Sequence, residues 1–406
     1  MFQTERQGLG KGSTIAAVIA GNLLFGTGLI FHAFLYNFYL DALHLPTEVM
    51  GHAAAALTAG GLVMLLPAGI LTDRAGPKLS ITIAAAVLGI GLTLGALATT
   101  RLAVFAAAAV AGAGSGIWRV ATPPILMGLT EPGTRARAFA WNVGLLVAWG
   151  GLGTAIAGLT PGWLEQHWGL THLPAMRGAL ILGAVGSAAS VVLFRTLRGP
   201  LAHTADVKAA AAPAPASANG RMLLLVSLVA VWMLGSALAA PFFNIFFSRE
   251  HGLPIARIGV VFAAVNGAWA LVVLASGEAA RRFGVGRVLN AALLLFAPAM
   301  LGLSVVGSVQ LTVALYFFQG LIGPVTNPLI DQWLLGQTSR ERHGLVSSWR
   351  QVAADLSGMI GASCGGYVLA TGGFDWLFRA AAAIGLVGGL GLIAGGRLGR
   401  RQVTIT

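Results

Sequence analysis

Twelve apolar runs, each long enough to cross a lipid bilayer as a helix, occupy most of this chain. They lie at roughly 13–40, 49–72, 78–100, 102–129, 137–160, 176–196, 222–248, 256–280, 287–307, 309–335, 345–371 and 375–396. A membrane-spanning helix needs about 20 mostly apolar residues, so the runs fix the fold class before any motif is read. Composition agrees: of 406 residues, 56% are hydrophobic and 9% charged, against roughly 25% charged in a soluble domain. A water-soluble core of this size cannot hide so much apolar surface, so lipid must cover it. The runs are continuous rather than alternating, which favours helices over a β-barrel. Small residues fall inside them, as in Gly112-Ala113-Gly114-Ser115-Gly116, where they let helix backbones approach closely in lipid. The expected architecture is an all-α integral membrane protein with twelve transmembrane helices.

A pattern repeated once, 208 residues apart, divides those helices into two sets. Leu45-Pro46 and Gly51 reappear as Leu253-Pro254 and Gly259, and Gly69, Arg74 and Gly76 reappear as Gly277, Arg282 and Gly284. All the pairs keep one register, as a single duplication would leave them. The expected organisation is two pseudo-symmetric six-helix bundles, 1–197 and 222–406, joined by a linker at 198–221. The linker carries Ala209 to Ala212 followed by Pro213-Ala214-Pro215-Ala216-Ser217 and has little to bury. Internal repeats in a membrane protein point to a substrate site at the repeat interface. The first run is too long for a signal-peptide core and no cleavage site follows, so it reads as an uncleaved first span. The lone Cys364 excludes an intramolecular disulfide and reads as a small packing residue.

The net charge of +12 is a topology signal. With the N-terminus on one side, that side collects eighteen of the 25 lysines and arginines, including Arg74, Lys78, Arg135, Arg137, Arg195, Lys208, Arg281, Arg282, Arg287, Arg340 and Arg342. The other side holds five, Arg101, Arg177, Arg249, Arg257 and Arg379, while Arg119 and Arg350 fall within runs. Positive charge stays on the cytoplasmic side. Both termini are therefore expected in the cytoplasm, with anionic lipid as a partner for the basic face and no role for nucleic acid.

The loop after the second run reads Gly69-Ile70-Leu71-Thr72-Asp73-Arg74-Ala75-Gly76-Pro77-Lys78. It resembles the signature of the major facilitator superfamily: a glycine, Asp-Arg, a second glycine and a basic residue between spans two and three. In the second copy Arg281 stands where the first has Asp73; a weaker copy is usual in that family. The resemblance covers essentially the whole chain through helix count, central linker and repeat. It implies two halves rocking about a central cavity that opens alternately to each side. It also implies a gating role for Gly69, Asp73, Arg74 and Gly76, the loop being proposed in the family to hold the halves together when the cavity opens outward. The residues alone suggest that Gly69 and Gly76 permit close helix approach and a tight turn. They leave open whether Arg74 and Lys78 are only topology anchors. Thr134-Arg135-Ala136-Arg137 and Ser339-Arg340-Glu341-Arg342 look alike and extend the repeat.

Ionisable residues inside spans are costly and are functional candidates by default. Arg119 lies ten residues from the end of its run and Asp355 ten residues into its own, each about 15 Å from the surface. Arg119 is similar to the arginine that drug/proton antiporters of the family carry in the fourth span, although Gly116-Ile117-Trp118 lacks the rest of that motif. Asp331 and Arg350 lie near the cytoplasmic ends of spans ten and eleven, close enough to pair and act as a gate. Asn22, His32 and Tyr36 fall within about 80° of one another on the first helix. With Arg119, Asn266, Gln319 and Asn327 they are the expected substrate cavity; each neutral one can equally be a helix–helix hydrogen bond. Asp355 and His32 are the expected proton-coupling groups, since a carboxyl in a dehydrated site favours its neutral form and imidazole titrates near neutral pH. A neutral, hydrogen-bonded His32 and a permanently paired Asp355 are the alternatives. Gly150, Gly151, Gly153 and Gly158 resemble the glycine-rich fifth span of family exporters, but Leu159 stands where a Gly-Pro pair would continue.

No HExxH motif, cysteine pair or P-loop occurs, so no enzyme chemistry, metal or cofactor is expected. The expected function is secondary active transport of a small organic solute across the bacterial inner membrane, by a monomer, coupled to the proton gradient and leaning to export. Proton-coupled uptake is one alternative. A transporter-shaped lipid-handling or assembly factor is another, since fold does not settle function.

Overall fold

The structure, a computed structural model, describes residues 2–197, 220–338 and 342–403. Most of the expected linker, with Lys208, and the stretch Ser339-Arg340-Glu341 lie outside the described residues. Every regular element described is helical: α1 Phe2–Ala42, α2 Thr47–Val63, α3 Leu65–Ala75, α4 Pro77–Leu97, α5 Arg101–Leu129, α6 Pro132–Trp168, α7 His172–Thr196, α8 Gly220–Ala239, α9 Phe243–Arg249, α10 Ile255–Phe283, α11 Val285–Leu303, α12 Val309–Gly320, α13 Ile322–Leu335 and α14 His343–Val403, with a 3₁₀ turn at Ala240–Phe242. Among the described residues nine helices are long and apolar enough to cross a membrane, and ten if the bent pair α2–α3 is one span. Two features separate that number from twelve. Helix α14 contains two of the expected runs and is broken at Gly373, whose φ is 71°. Helix α10 runs over Ile255–Phe283, of which the described stretch Ile255–Trp269 is apolar and shorter than a full span.

Prolines place the interruptions. A proline ring clashes with the carbonyl four residues back and removes a donor. Pro67 lies four residues after Val63, where α2 ends and the chain bends by 41°. Pro324 lies four residues after Gly320, where α12 ends. Pro241 sits in the 3₁₀ turn between α8 and α9.

The duplication is written into the backbone. Gly76 (φ 85°) separates α3 from α4 and Gly284 (φ 86°) separates α10 from α11; 208 residues apart, both occupy a region that favours glycine. Thr100 caps α5 by accepting from the Ala103 N–H at 3.4 Å, and Ser308, again 208 residues on, caps α12 by accepting from Leu311 at 3.3 Å. Each cap satisfies one of the orphan donors of a helix start.

The described chain falls into two compact units: Met1–Leu45, Ala56–Ala212 and Pro254–Asn266 form one, and Pro46–Ala55, Pro213–Leu253 and Gly267–Thr406 the other. They differ from the expected boundaries in the two short segments at the starts of α2 and α10. The first unit has a core of Phe25, Ile81, Leu88, Ile117, Ile125 and Phe194. Its helices approach through glycines: a Cβ on Gly91 would lie 2.7 Å from the Ala111 Cα, and one on Gly116 3.0 Å from the Gly61 Cα. The second unit does the same where α8 meets α14, with Gly235 against Gly385 and Gly361 against Ala237. Large apolar side chains such as Leu66, Leu102, Leu271 and Val305 remain more than two-thirds exposed, the surface expected of helices that face lipid.

Candidate functional site

In the first unit the polar residues of α1 divide into two groups. Asn22 is fully buried. Its amide Nδ2 donates to Asn142 Oδ1 at 2.8 Å, and its Oδ1 accepts from the Trp118 indole at 2.8 Å. Trp118 also stacks on Phe25 with ring centroids 5.1 Å apart. Asn22 therefore joins α1 to α5 and α6, the packing alternative for this residue, and no exposed surface is left on it. Asn142, 120 positions away, is a partner that the sequence reading did not single out.

Tyr36 and His32 lie further along α1. The imidazole of His32 stacks on the Tyr36 ring at 4.0 Å. The Tyr36 hydroxyl donates to the Gly95 carbonyl at 3.4 Å, and that of Tyr39 donates to Ala98 at 2.8 Å. Both hydroxyls thus meet carbonyls at the C-terminal end of α4, where that of Gly95 also accepts the Ala98 N–H at 3.3 Å. Tyr36 is buried, whereas His32 keeps part of its surface. Arg119 on α5 and Asn266 on α10 are also half-buried.

In the second unit Asp331 and Arg350 pair: Arg350 Nε stands 2.6 Å from Asp331 Oδ1, with the arginine side chain 14% and the aspartate 48% exposed. That nitrogen is not aligned for a hydrogen bond, so the pair is an electrostatic contact with the aspartate half open to the surface. Asp355, half-buried on α14, accepts from Gln351 Nε2 at 3.1 Å. Asn327 on α13 has a buried Oδ1 without a hydrogen-bond partner, the state of a group awaiting a donor. Gln319 on α12 is buried. Beside it, the exposed Trp269 donates to the Gly320 carbonyl at 3.1 Å, next to the break that Pro324 creates.

An aromatic cluster in this unit went unread in the sequence. Phe243, Phe246, Phe247, Tyr316, Phe374 and Phe378 are all buried, with Phe246 and Phe378 edge to face at 4.7 Å and Phe243 and Tyr316 at 4.8 Å. The i, i+4 spacing of Phe243 and Phe247 was its signal.

The signature loop has a defined shape. Asp73 and Arg74 are exposed at the end of α3. Gly76 makes the turn. A Cβ on Gly69 would meet nothing within 4 Å, so the expected close helix approach at Gly69 is absent from this conformation; its repeat partner Gly277 is equally open. Lys78 Nζ donates to the Leu197 carbonyl at 2.7 Å, a cation at the C-terminus of α7 where the helix dipole favours it. Cys364 is exposed rather than packed.

Gly51 and Gly259 are repeated positions that each press on the backbone of another helix. In the second unit a Cβ on Gly51 would overlap the Ala362 carbonyl and lie 3.1 Å from the Gly366 Cα. In the first unit a Cβ on Gly259 would lie 3.1 Å from the Gly158 Cα and 3.1 Å from the Thr154 carbonyl. Gly158 and Gly366 are themselves 208 residues apart, as are Gly150 and Gly358, and Gly153 and Gly361. The glycine runs of α6 and α14 are therefore one more copied element, legible at the same offset but not aligned in the sequence reading.

The family model described as the Major Facilitator Superfamily matches residues 17–277 and 225–402. No curated protein matches the chain significantly. Among solved structures, a point mutant of the nucleoside transporter NupG aligns with a TM-score of 0.77 at 15% identity, covering 94% of this chain and 99% of the other. A bacterial homolog of the human lysosomal transporter Spinster, inward-facing and occupied, gives 0.77 at 14% identity over 96% and 97%. The xylose transporter XylE from E. coli, inward open, gives 0.72 at 13% identity over 94% and 95%. At these identities the structures speak for the fold, and the family model speaks for descent. The protein is a multi-pass membrane protein and a secondary transporter of a small solute, not an enzyme, and it belongs to the Major Facilitator Superfamily.

Proposed function

We propose that this chain exports a small organic solute across the bacterial inner membrane in exchange for protons, as a monomer with both termini in the cytoplasm. The observation that carries the coupling is Asp355, an acid about 15 Å into the membrane by helical rise that is half-buried and accepts from Gln351. A carboxyl that alternates between a dry and a wetted setting takes up and releases a proton. His32, Arg119, Asn266 and Asn327 are the proposed solute contacts, being span residues that keep part of their surface or leave an oxygen unmatched. Gln319 completes the set from a buried position, while Asn22 and Tyr36 position helices of the first unit. Asp73, Arg74, Gly76 and the Asp331–Arg350 pair are the proposed gates, with Gly69 beside them. The lean to export, towards the drug/proton antiporter branch, rests on the partial likeness of Arg119 and α6 to exporters. Uptake with protons is the second reading, favoured by the fold shared with a D-xylose–proton symporter, TM-score 0.73 at 13% identity.

The test starts from a thermal-shift screen of the purified protein, since a ligand of the folded state raises its apparent stability. With a solute in hand, Asp355→Asn in proteoliposomes is expected to lose movement driven by a pH gradient and to keep solute exchange. Concentrative transport with an unchanged pH dependence would remove Asp355 from coupling. Loss of the folded protein would make it a structural charge.

A further inference from the structure

The second unit carries a cavity of about 510 Å³ between α11 and the α12–α13 pair, lined by Phe283, Arg287, Ala291, Leu295, Phe318 and Val325 among others. That volume is in the range of small-molecule sites, but its chemistry is not that of a polar-solute site. Apart from Arg287 at one end, every lining side chain is apolar. A polar solute would find nothing further to bond. Phe283, Leu295 and Phe318 are 62%, 45% and 43% exposed, so the cavity opens sideways, where these helices meet the hydrocarbon.

Its dimensions fit one leaflet. Arg287 is in the first turn of α11, at the membrane surface, and Leu295 is eight residues further. At 1.5 Å per residue the groove runs about 12 Å inward, close to half of the roughly 30 Å hydrocarbon core. The space has a local cause: Pro324 ends α12 at Gly320, and Ala291 and Ala292 form a shallow floor opposite.

Charge selects the occupant. Arg281 and Arg282 both pair with Glu278, at 2.6 and 2.5 Å. Arg287 is exposed, and among the described residues no carboxylate pairs with it. We propose that this groove is a binding site for an anionic phospholipid, one acyl chain lying along Ala291, Leu295 and Phe318 and the phosphate held by Arg287. The site is separate from the proposed solute contacts and does not rest on the direction or coupling of transport.

Native mass spectrometry of the full chain, purified and exchanged into mixed micelles of phosphatidylglycerol and phosphatidylcholine, tests it. The wild type is expected to retain phosphatidylglycerol over phosphatidylcholine by about fivefold, the effect of one arginine at an anionic headgroup. Arg287→Gln should bring that preference close to unity while a lipid is still retained. Ala291→Trp, which fills the groove, should lower retention of both lipids. Arg281→Gln, whose guanidinium already has an acid partner, should leave the preference unchanged. Equal retention of the two lipids by the wild type, or an undiminished preference in a monodisperse Arg287→Gln protein, overturns the proposal. So does lipid retention by Ala291→Trp equal to that of the wild type.

Discussion

Replacing Gly51 or Gly259 with alanine adds one methyl group to each of two helix crossings that have no room for it. The built Cβ at Gly259 sits 3.1 Å from both the Gly158 Cα and the Thr154 carbonyl, and that at Gly51 overlaps the Ala362 carbonyl. Ordinary van der Waals contact begins at 3.4 Å. The obstructing atoms belong to backbone, so no rotamer change relieves the clash and the helices themselves must separate. Overpacking of this kind costs about 1–3 kcal/mol. At Gly69 and Gly277 nothing lies within 4 Å, and the same substitution should gain about 0.5–1 kcal/mol from helix propensity. Four variants with identical chemistry therefore split by sign. Under the alternating-access reading the cost at Gly51 appears as a population shift of about 5- to 150-fold away from this conformation. The assay is maleimide labelling of Thr47→Cys in a Cys364→Ser background, because Thr47 is buried and its hydroxyl faces the Gly366 carbonyl at 3.4 Å. Gly51→Ala should speed labelling, with Gly69→Ala matching the parent. Equal labelling and equal thermal stability in all four variants would refute the argument, because the crossings would then not be in tight contact.

Asn22→Ala should lower the unfolding temperature more than Trp118→Phe does, because it strands both the Asn142 amide and the Trp118 indole, at about 1–3 kcal/mol per unsatisfied group; a smaller drop removes the network from the stability account. Asp73→Asn should impair transport and leave folded protein in the membrane, and wild-type transport by the variant would take Asp73 out of the mechanism. Cysteines placed at Pro213 and in the C-terminal tail should label only from the cytoplasm and one at Thr171 only from outside, which labelling of Pro213 in intact cells would contradict.

Much of the fold was legible because span length is a property of composition along the chain, and no long-range contact is needed to read it. The breaks after Val63 and Gly320 have a local signal too, four residues before Pro67 and Pro324, since the steric cause lies within one turn. The pairing of Asp331 with Arg350 was read from depth alone, two ends of neighbouring runs meeting at one surface. The fate of Asn22 was not legible. Whether a buried amide meets a solute or another helix depends on which side chain arrives from 120 positions away, and periodicity fixes only the face it points from. Gly69 shows the same limit: its register in the repeat was right, but the emptiness beside it belongs to the tertiary packing.

What the duplication kept and what it changed are different kinds of feature. The kept ones are mechanical: positive-φ turns at Gly76 and Gly284, caps at Thr100 and Ser308, and crossings of Gly259 with Gly158 and Gly51 with Gly366. Arg74 is kept as Arg282, whereas the ionisable or strongly polar residues inside or next to the proposed sites are changed. At the 208-residue offset Asp73 faces Arg281, Asn22 faces Ala230, Asn142 faces Arg350 and Val147 faces Asp355. A helix crossing that must open and close has the same demand in each half, namely no Cβ in the way, and a glycine meets it wherever it falls. A carboxyl that binds one proton per cycle is needed once; a second, symmetric copy would add another costly charge inside the membrane. Position 147 is therefore informative: valine there leaves Asp355 without a twin, so under the proposed coupling a single acid sets the proton count.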